Sequence, residues 1–423
     1  MEKTSRIAGL HKKSVPERIQ VLKEFAGLTD EEAGLFGQSS VLGLETADRM
    51  IENVIGTFEL PLGLVTNMVV NGRDIVVPLA TEESSVVAAL SNASKMVRSG
   101  GGYFTSSSDP IMIAQIQAVN LSDPFAAKLK ILEHREEIIA LANEQDPILV
   151  KLGGGCRDIE VRVIDTVKGP MVITHILVDT RDAMGANAVN TMAEALAPKI
   201  EKWTGGQVFL RILSNLADRR IARARCLVKK DAITPGPEII EGILQAWAFA
   251  DADPYRAATN NKGIMNGISA LVIATGNDFR AIEAGAHAYA SKFGHYRALA
   301  RWEINPDGDL EGSIELPLAM GLVGGATAIH PLAKLIVKIL NVQSASELSE
   351  ITAAVGLGQN LAALRALAGE GIQRGHMSLH AKNIAIMAGA TGKEIDQVAS
   401  QLKKDGKIRV DRAEEILQSM RNS

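Results

Sequence analysis

The order of predicted elements implies an α+β protein: a larger mixed α/β part interrupted by a βαββαβ unit and closed by a small helical tail. Three observations carry this. The middle of the chain reads strand, helix, strand, strand, helix, strand, the split arrangement rather than alternating βαβ units. Mixed helices and strands lie on either side of it. Beyond about Gly375 only helices are predicted, over 378–387, 393–402 and 411–420, separated by Gly389, Gly392 and Asp405-Gly406.

Taken in order, Ser14 with Glu17 forms a capping box over a helix bearing Ile19, Leu22 and Phe25, and a second helix is expected over 45–54. Asn71-Gly72 between the β-rich runs 64–70 and 74–79 predicts a hairpin. An Ala-rich helix over 85–98 should stop at Gly100 to Gly102. The inserted unit then comprises a strand over 111–119 and a helix from Asp123-Pro124 to about Asn143. Strands over 158–164 and 171–178 follow, then a helix over 187–203 ended by Gly205-Gly206, and a strand over 208–213. A further helix is expected from Phe279 to Lys292.

Composition narrows the function. The 423 residues hold 45 Lys plus Arg against 49 Asp plus Glu, a net charge of −4 that leaves no basic surplus for nucleic acid. Two cysteines cannot build a disulfide framework, which suits a reducing cytoplasm. The segment MEKTSRIAGLHKK lacks a signal-peptide core, and no run of 18 apolar residues suggests a membrane span. No GxGxxG follows a predicted strand, and neither a P-loop nor a GxSxG elbow occurs, which disfavours Rossmann enzymes, P-loop NTPases and ordinary serine hydrolases.

The polar residues left in apolar or Gly-rich surroundings have two readings each. Glu82 and Glu83 suit a helix start through the helix dipole, or could act on a substrate. Lys262, between Asn260-Asn261 and Gly263, is a surface lysine in a turn or an ammonium aimed at an oxyanion. Asp278 is a helix N-cap or a catalytic carboxylate. His376 and His380, four apart, share zinc-ligand spacing, but no HExxH glutamate or Cys/His partners accompany them and no metal is expected. His376, after Gly375, could be an acid or base arriving with the tail. The joint from Arg181 to Asn187 could offer backbone N–H groups to an anion. Asp146, before Gly153 to Gly155, is a loop aspartate or an acceptor for a ribose hydroxyl.

Long ordered segments resemble class II hydroxymethylglutaryl-coenzyme A (HMG-CoA) reductases. They are Met50 to Pro61, Asn71 to Asp74, Leu152 to Glu160, Asp182 to Met192, Leu213 to Asp218, Asp253 to Gly267, Ala274 to Ala290 and Gly371 to Met377. The resemblance implies a four-electron oxidoreductase interconverting HMG-CoA and mevalonate plus CoA through mevaldehyde, with two nicotinamide cofactors. It divides the chain into a large substrate domain around a central helix (1–109 and 216–374), an inserted ferredoxin-like cofactor domain (110–215) and a C-terminal flap (375–423).

By the same matching, the catalytic set is Glu83, Lys262, Asp278 and His376. Lys262 would stabilise the oxyanion formed by hydride attack and His376 would protonate the departing CoA thiolate. Glu83 would supply a proton to the aldehyde oxygen, with Asp278 hydrogen-bonding among Lys262 and Glu83. Asp146, Met184, Gly185 and Asn187 would touch the cofactor; Ser85, Asn215, Arg256, Asn266 and Gln359 would surround the acyl substrate. Asp146 favours NAD(H), while Lys151 and Arg157 would also admit NADP(H). A homodimer with its active site at the interface, further assembled to a hexamer, completes the picture. Ser84, Asn260, Ala328 and Gly369 depart from the expected Pro, His, Lys and Thr. A catalytically silent CoA- or nucleotide-binding relative is the alternative, opposed by the complete catalytic set.

Overall fold

The computed structural model describes residues 4–233, 236, 238–369 and 372–422, the side chains of 372–379 excepted. The hairpin forms where Asn71-Gly72 places it: β1 (Leu62–Val70) and β2 (Arg73–Ala80) pair antiparallel, and both turn residues have positive φ, 47° and 77°. β3 (Tyr103–Ser107) runs parallel to β1. The chain then leaves this sheet for about a hundred residues before returning.

The excursion is a second sheet of β4 (Ile111–Val119), β5 (Gly155–Ile164), β6 (Met171–Asp179) and β7 (Gln207–Leu213), all antiparallel in the order β5-β6-β4-β7. Met112, Ala114, Ile116 and Ala118 of central β4 are buried at period two. The helices pack on this face. The one expected from Asp123 starts as predicted, Asp123 Oδ1 accepting from the N–H groups of Phe125 and Ala126. It breaks at His134 (φ −95°, ψ 15°), whose ring stacks on Trp203 at 4.1 Å. Two helices, Pro124–Glu133 and Arg135–Glu144, therefore replace one, and a third short one, Pro147–Lys151, follows.

β8 (Ile221–Val228) re-enters the first sheet beside β3, with Tyr103 opposite Cys226. β9 (Ala300–Ile304) and β10 (Leu310–Pro317) complete six strands in the order β2-β1-β3-β8-β10-β9. The helix Ala345–Ala368 runs through the core: 16 of its 24 residues are buried. Among the described residues it is the one helix long and apolar enough to cross a membrane, and the protein's own elements cover it: the helices Val86–Val97, Glu238–Ala252 and Pro254–Ala274, and strands β3, β8 and β10.

Three further sequence expectations need correcting. The second helix is Leu44–Met50, shorter than expected. Asn260 to Gly267 are not a turn but the middle of the 21-residue helix Pro254–Ala274. The tail's first helix is Ile372–Met387, running through Gly375 rather than starting after it. The three tail helices gather Ala381, Ile384, Val398, Leu402, Ile416 and Leu417 into a hydrophobic cluster separate from the main core.

Candidate active site

Asp253 caps the helix Pro254–Ala274, accepting from the N–H of Arg256 at 2.8 Å, with Pro254 at its first position. The buried side of this helix is continuous: Ala257, Asn261, Ile264, Met265, Ile268 and Leu271. Lys262 and Asn266, one turn apart, face outward together. Across from them the turn before the helix Val86–Val97 presents Glu83, and Lys262 Nζ donates to Glu83 Oε2 at 2.6 Å across 179 residues of sequence.

Both members are partly exposed, 60% for Lys262 and 37% for Glu83, so the pair contributes little to stability. What the contact does is hold the Lys262 ammonium at one point against the Glu83 carboxyl group. Ser85 sits beside it in the left-handed region (φ 76°), a conformation that costs a non-glycine residue about 1–3 kcal/mol and is typical of functional sites.

Gln359, on the buried helix Ala345–Ala368, lies over Gly267; a Cβ at 267 would stand 3.1 Å from Gln359 Cβ and 3.0 Å from Val355 Cγ1. Gly267 thus lets the two helices approach. Gln359 is 6% exposed and its Oε1 meets no donor among the described residues, an acceptor left open. Arg256 is half-buried near the same helix's start, and burial lowers its guanidinium pKa. Asn215 is exposed after β7, its carbonyl 2.6 Å from where a Cβ on Gly285 would stand.

Asp278 does cap the helix Phe279–Ala290, Oδ1 accepting from the N–H groups of Arg280 (3.0 Å) and Ala281 (3.2 Å) and pairing with the Arg280 guanidinium at 3.3 Å. Its described bonds therefore go to its own helix rather than to Lys262 or Glu83. His376 lies in the helix Ile372–Met387, but its side chain is outside the described residues.

The cofactor candidates gather in the four-stranded unit. Gly185 (φ 96°) immediately precedes the helix Ala186–Thr204, and a Cβ there would stand 2.3 Å from Thr180 Cγ2; only glycine fits. Met184 precedes it half-buried and Asn187 is exposed in the first turn. Asp146 is neither a free loop residue nor wholly committed: Oδ1 caps Pro147–Lys151, accepting from Leu149 N at 2.9 Å. Beyond that helix, Arg157 and Arg181 both donate to the Gly153 carbonyl and pair with Asp179 at 3.2 and 3.1 Å. A groove of about 810 Å³ on the outer face of the larger sheet, along Phe104, Arg225, Trp247 and Arg301, includes none of the expected site residues.

Two roles were invisible in the sequence. Asn260 joins a buried amide chain: Trp302 Nε1 donates to Asn360 Oδ1 (2.8 Å), Asn360 Nδ2 to Asn260 Oδ1 (3.0 Å), and Asn261 Nδ2 to the Arg297 carbonyl (2.8 Å). The other is Arg220, buried where the two sheets' units meet. Of the remaining departures, Ala328 is exposed on the short helix Gly325–Ile329 that backs the Gly276 turn before Asp278, and Gly369 ends the buried helix. Nothing in the structure explains Ser84.

The family model described as hydroxymethylglutaryl-coenzyme A reductase matches residues 14–381. The chain is 59% identical to the 3-hydroxy-3-methylglutaryl-coenzyme A reductase of Archaeoglobus fulgidus, over 99% of this chain and 95% of that protein. The chain belongs to the HMG-CoA reductase family. A further relative, the probable HMG-CoA reductase of Borreliella burgdorferi, is 37% identical over 88% of this chain and 85% of its own length. The fold is that of the class II HMG-CoA reductase of Streptococcus pneumoniae, solved bound to NADPH in open conformations: TM-score 0.83, 42% identity, covering 97% of this chain and all of that one. Family membership makes this chain an oxidoreductase of the HMG-CoA reductase type, and a silent binding relative is not favoured.

Proposed function

We propose that the chain interconverts HMG-CoA and mevalonate plus CoA, with Lys262 and Glu83 as the core of the site. The observation that carries this is their 2.6 Å contact, made between two distant elements on a partly open surface. A reduced nicotinamide, when bound, supplies the hydride in each of the two reductions. The Lys262 ammonium stabilises the oxyanion that forms on the thioester and then on mevaldehyde. Glu83, in contact with that ammonium, delivers the proton to the aldehyde oxygen. His376 donates to the CoA thiolate, and Asp278 positions the pair from the head of the Phe279–Ala290 helix. Gln359 offers its open acceptor to a substrate hydroxyl, with Ser85, Asn215, Arg256 and Asn266 around it.

The proposed cofactor seat is the turn at Met184, Gly185 and Asn187, where close-packed Gly185 exposes backbone N–H groups at a helix start, together with Asp146. Residues 110–215 then serve as the cofactor domain and 375–423 as the flap. Asp146 supports NAD(H), since a carboxylate opposes a 2′-phosphate, while Arg157 and Arg181 beside Gly153 supply charge that admits NADP(H). A homodimer with the site at its interface is supported by Ile55 and Phe58, 102% and 92% exposed within a segment of the family resemblance. A cytoplasmic setting suits the two buried free cysteines. The test is oxidation of NADH or NADPH with HMG-CoA; no turnover with either cofactor at saturation refutes the reading.

A further inference from the structure

A buried arginine ties the loop that carries Met184 and Gly185 to the larger unit. Arg220, just before β8, is 4% exposed. Its Nη1 donates to Thr180 Oγ1 (3.0 Å) and to the carbonyls of Ala183 (2.9 Å) and Met184 (3.3 Å), all in the loop after β6. Its Nη2 donates to the Met320 carbonyl (2.5 Å), beyond β10 in the larger unit. Among the described residues no carboxylate pairs with it directly. Burial draws its pKa down to about 10, with Asp182 and Asp179 opposing, so it stays charged at neutral pH.

A buried guanidinium whose four acceptors straddle two units is costly to place and uses the one side chain with a rigid fork of five donors. The same junction is stitched by Leu322 N to the Asp182 carbonyl and by Ala345 N to Asp182 Oδ1, both 2.8 Å. Ala345 opens the buried helix that carries Gln359.

We propose that Arg220 is a positioning residue that fixes the 180–185 turn against the larger unit and thereby seats the nicotinamide cofactor, without itself touching cofactor or substrate. This rests on the reading of that turn as the cofactor seat. Because each protomer's small unit is pinned to its own large unit, the pin also sets where the turn lies relative to a partner subunit's substrate.

The test compares wild type with Arg220→Lys, which keeps the charge and loses the fork, and with Thr180→Val, which keeps the arginine and removes one acceptor. Three quantities are read: amide hydrogen exchange over 180–189, affinity for NADH and for NADPH by fluorescence titration, and KM for cofactor and for HMG-CoA. Arg220→Lys is expected to speed exchange and to raise the cofactor Kd and KM about tenfold, with the HMG-CoA KM changed less than about twofold. Thr180→Val is expected to show the same selectivity at roughly threefold, and it decides the matter if the lysine variant does not fold. Equal shifts in both KM values, or faster exchange with unchanged cofactor affinity, overturn the positioning role. Wild type that binds NADPH without reducing HMG-CoA defeats the functional reading alone, and the titration still judges Arg220. Wild type that binds neither NADH nor NADPH defeats both.

Discussion

Asn260 and Lys262 stand two residues apart on one helix and meet opposite fates. Asn260 is 3% exposed and tied by its amide to Asn360 and, through it, to Trp302. Lys262 is 60% exposed and, among the described residues, pairs with Glu83. The helix period of 3.6 separates them: one turns into the core, the other toward the opening beside Val86–Val97. The difference teaches that this helix carries two polar systems of contrary purpose. The inner one is satisfied, dry and specifies the packing; the outer one is wet, adds little stability and is free to act.

The contrast can be broken by substitution. The largest effect is expected for Lys262→Ala, a loss of about 10²–10³ in kcat from removing one oxyanion-stabilising group, with unfolding free energy nearly unchanged. Retained turnover ends the oxyanion role, and a large stability loss ends the division between the two faces. Glu83→Gln should cost about 10² in kcat if the carboxyl is a proton donor, again in a protein of unaltered denaturation midpoint.

On the inner face the signs reverse. Asn360→Ala strands Trp302 Nε1 and Asn260 Oδ1, so unfolding by urea should show a loss of about 1–3 kcal/mol while kcat of the folded protein stays within about twofold. Smallest is Ser85→Gly, which removes the strain of a left-handed serine. It should stabilise the protein by about 1 kcal/mol in the same unfolding experiment while raising KM for HMG-CoA, since the hydroxyl is gone. A Ser85→Gly protein with unchanged KM removes Ser85 from the substrate site.

How far the sequence could be followed depends on whether a signal was local. The Ser14–Glu17 capping box, the Asp123 cap and the Asn71-Gly72 hairpin are all present, because each is decided within a few residues. The βαββαβ order was equally plain, and the sheet order β5-β6-β4-β7 follows from it. The helix through Asn260 and Lys262 was missed because Asn, Gly and Asn have low helix propensity, and burial against Ala345–Ala368 overrides it. Gly375, inside the helix Ile372–Met387, likewise has a helix propensity too low to announce that helix. The break at His134 carries no glycine or proline to announce it.

Among the proposed catalytic residues, Lys262, Asp278 and His376 stand inside the long family-like segments and Glu83 outside them, so the resemblance as a whole singles out the set rather than spacing, and the sequence does not say which of them meet. The Glu83–Lys262 contact joins residues 179 positions apart, and Asp278 turns instead to its own helix cap.

By itself, then, the sequence determined the strand and helix order of the inserted unit, several caps, the hairpin, the family and the residue types available for reduction of a thioester. Only the tertiary structure decided which polar residues are buried and partnered in the core and which meet on an open surface. Asn260, Gly267 and Arg220 became structural, and Glu83 with Lys262 became a pair, because side-chain partners across hundreds of residues are chosen by packing. Local propensity cannot encode a contact whose other half lies in another element; burial of the helix Ala345–Ala368 and closure of the Arg220 junction bring those halves together.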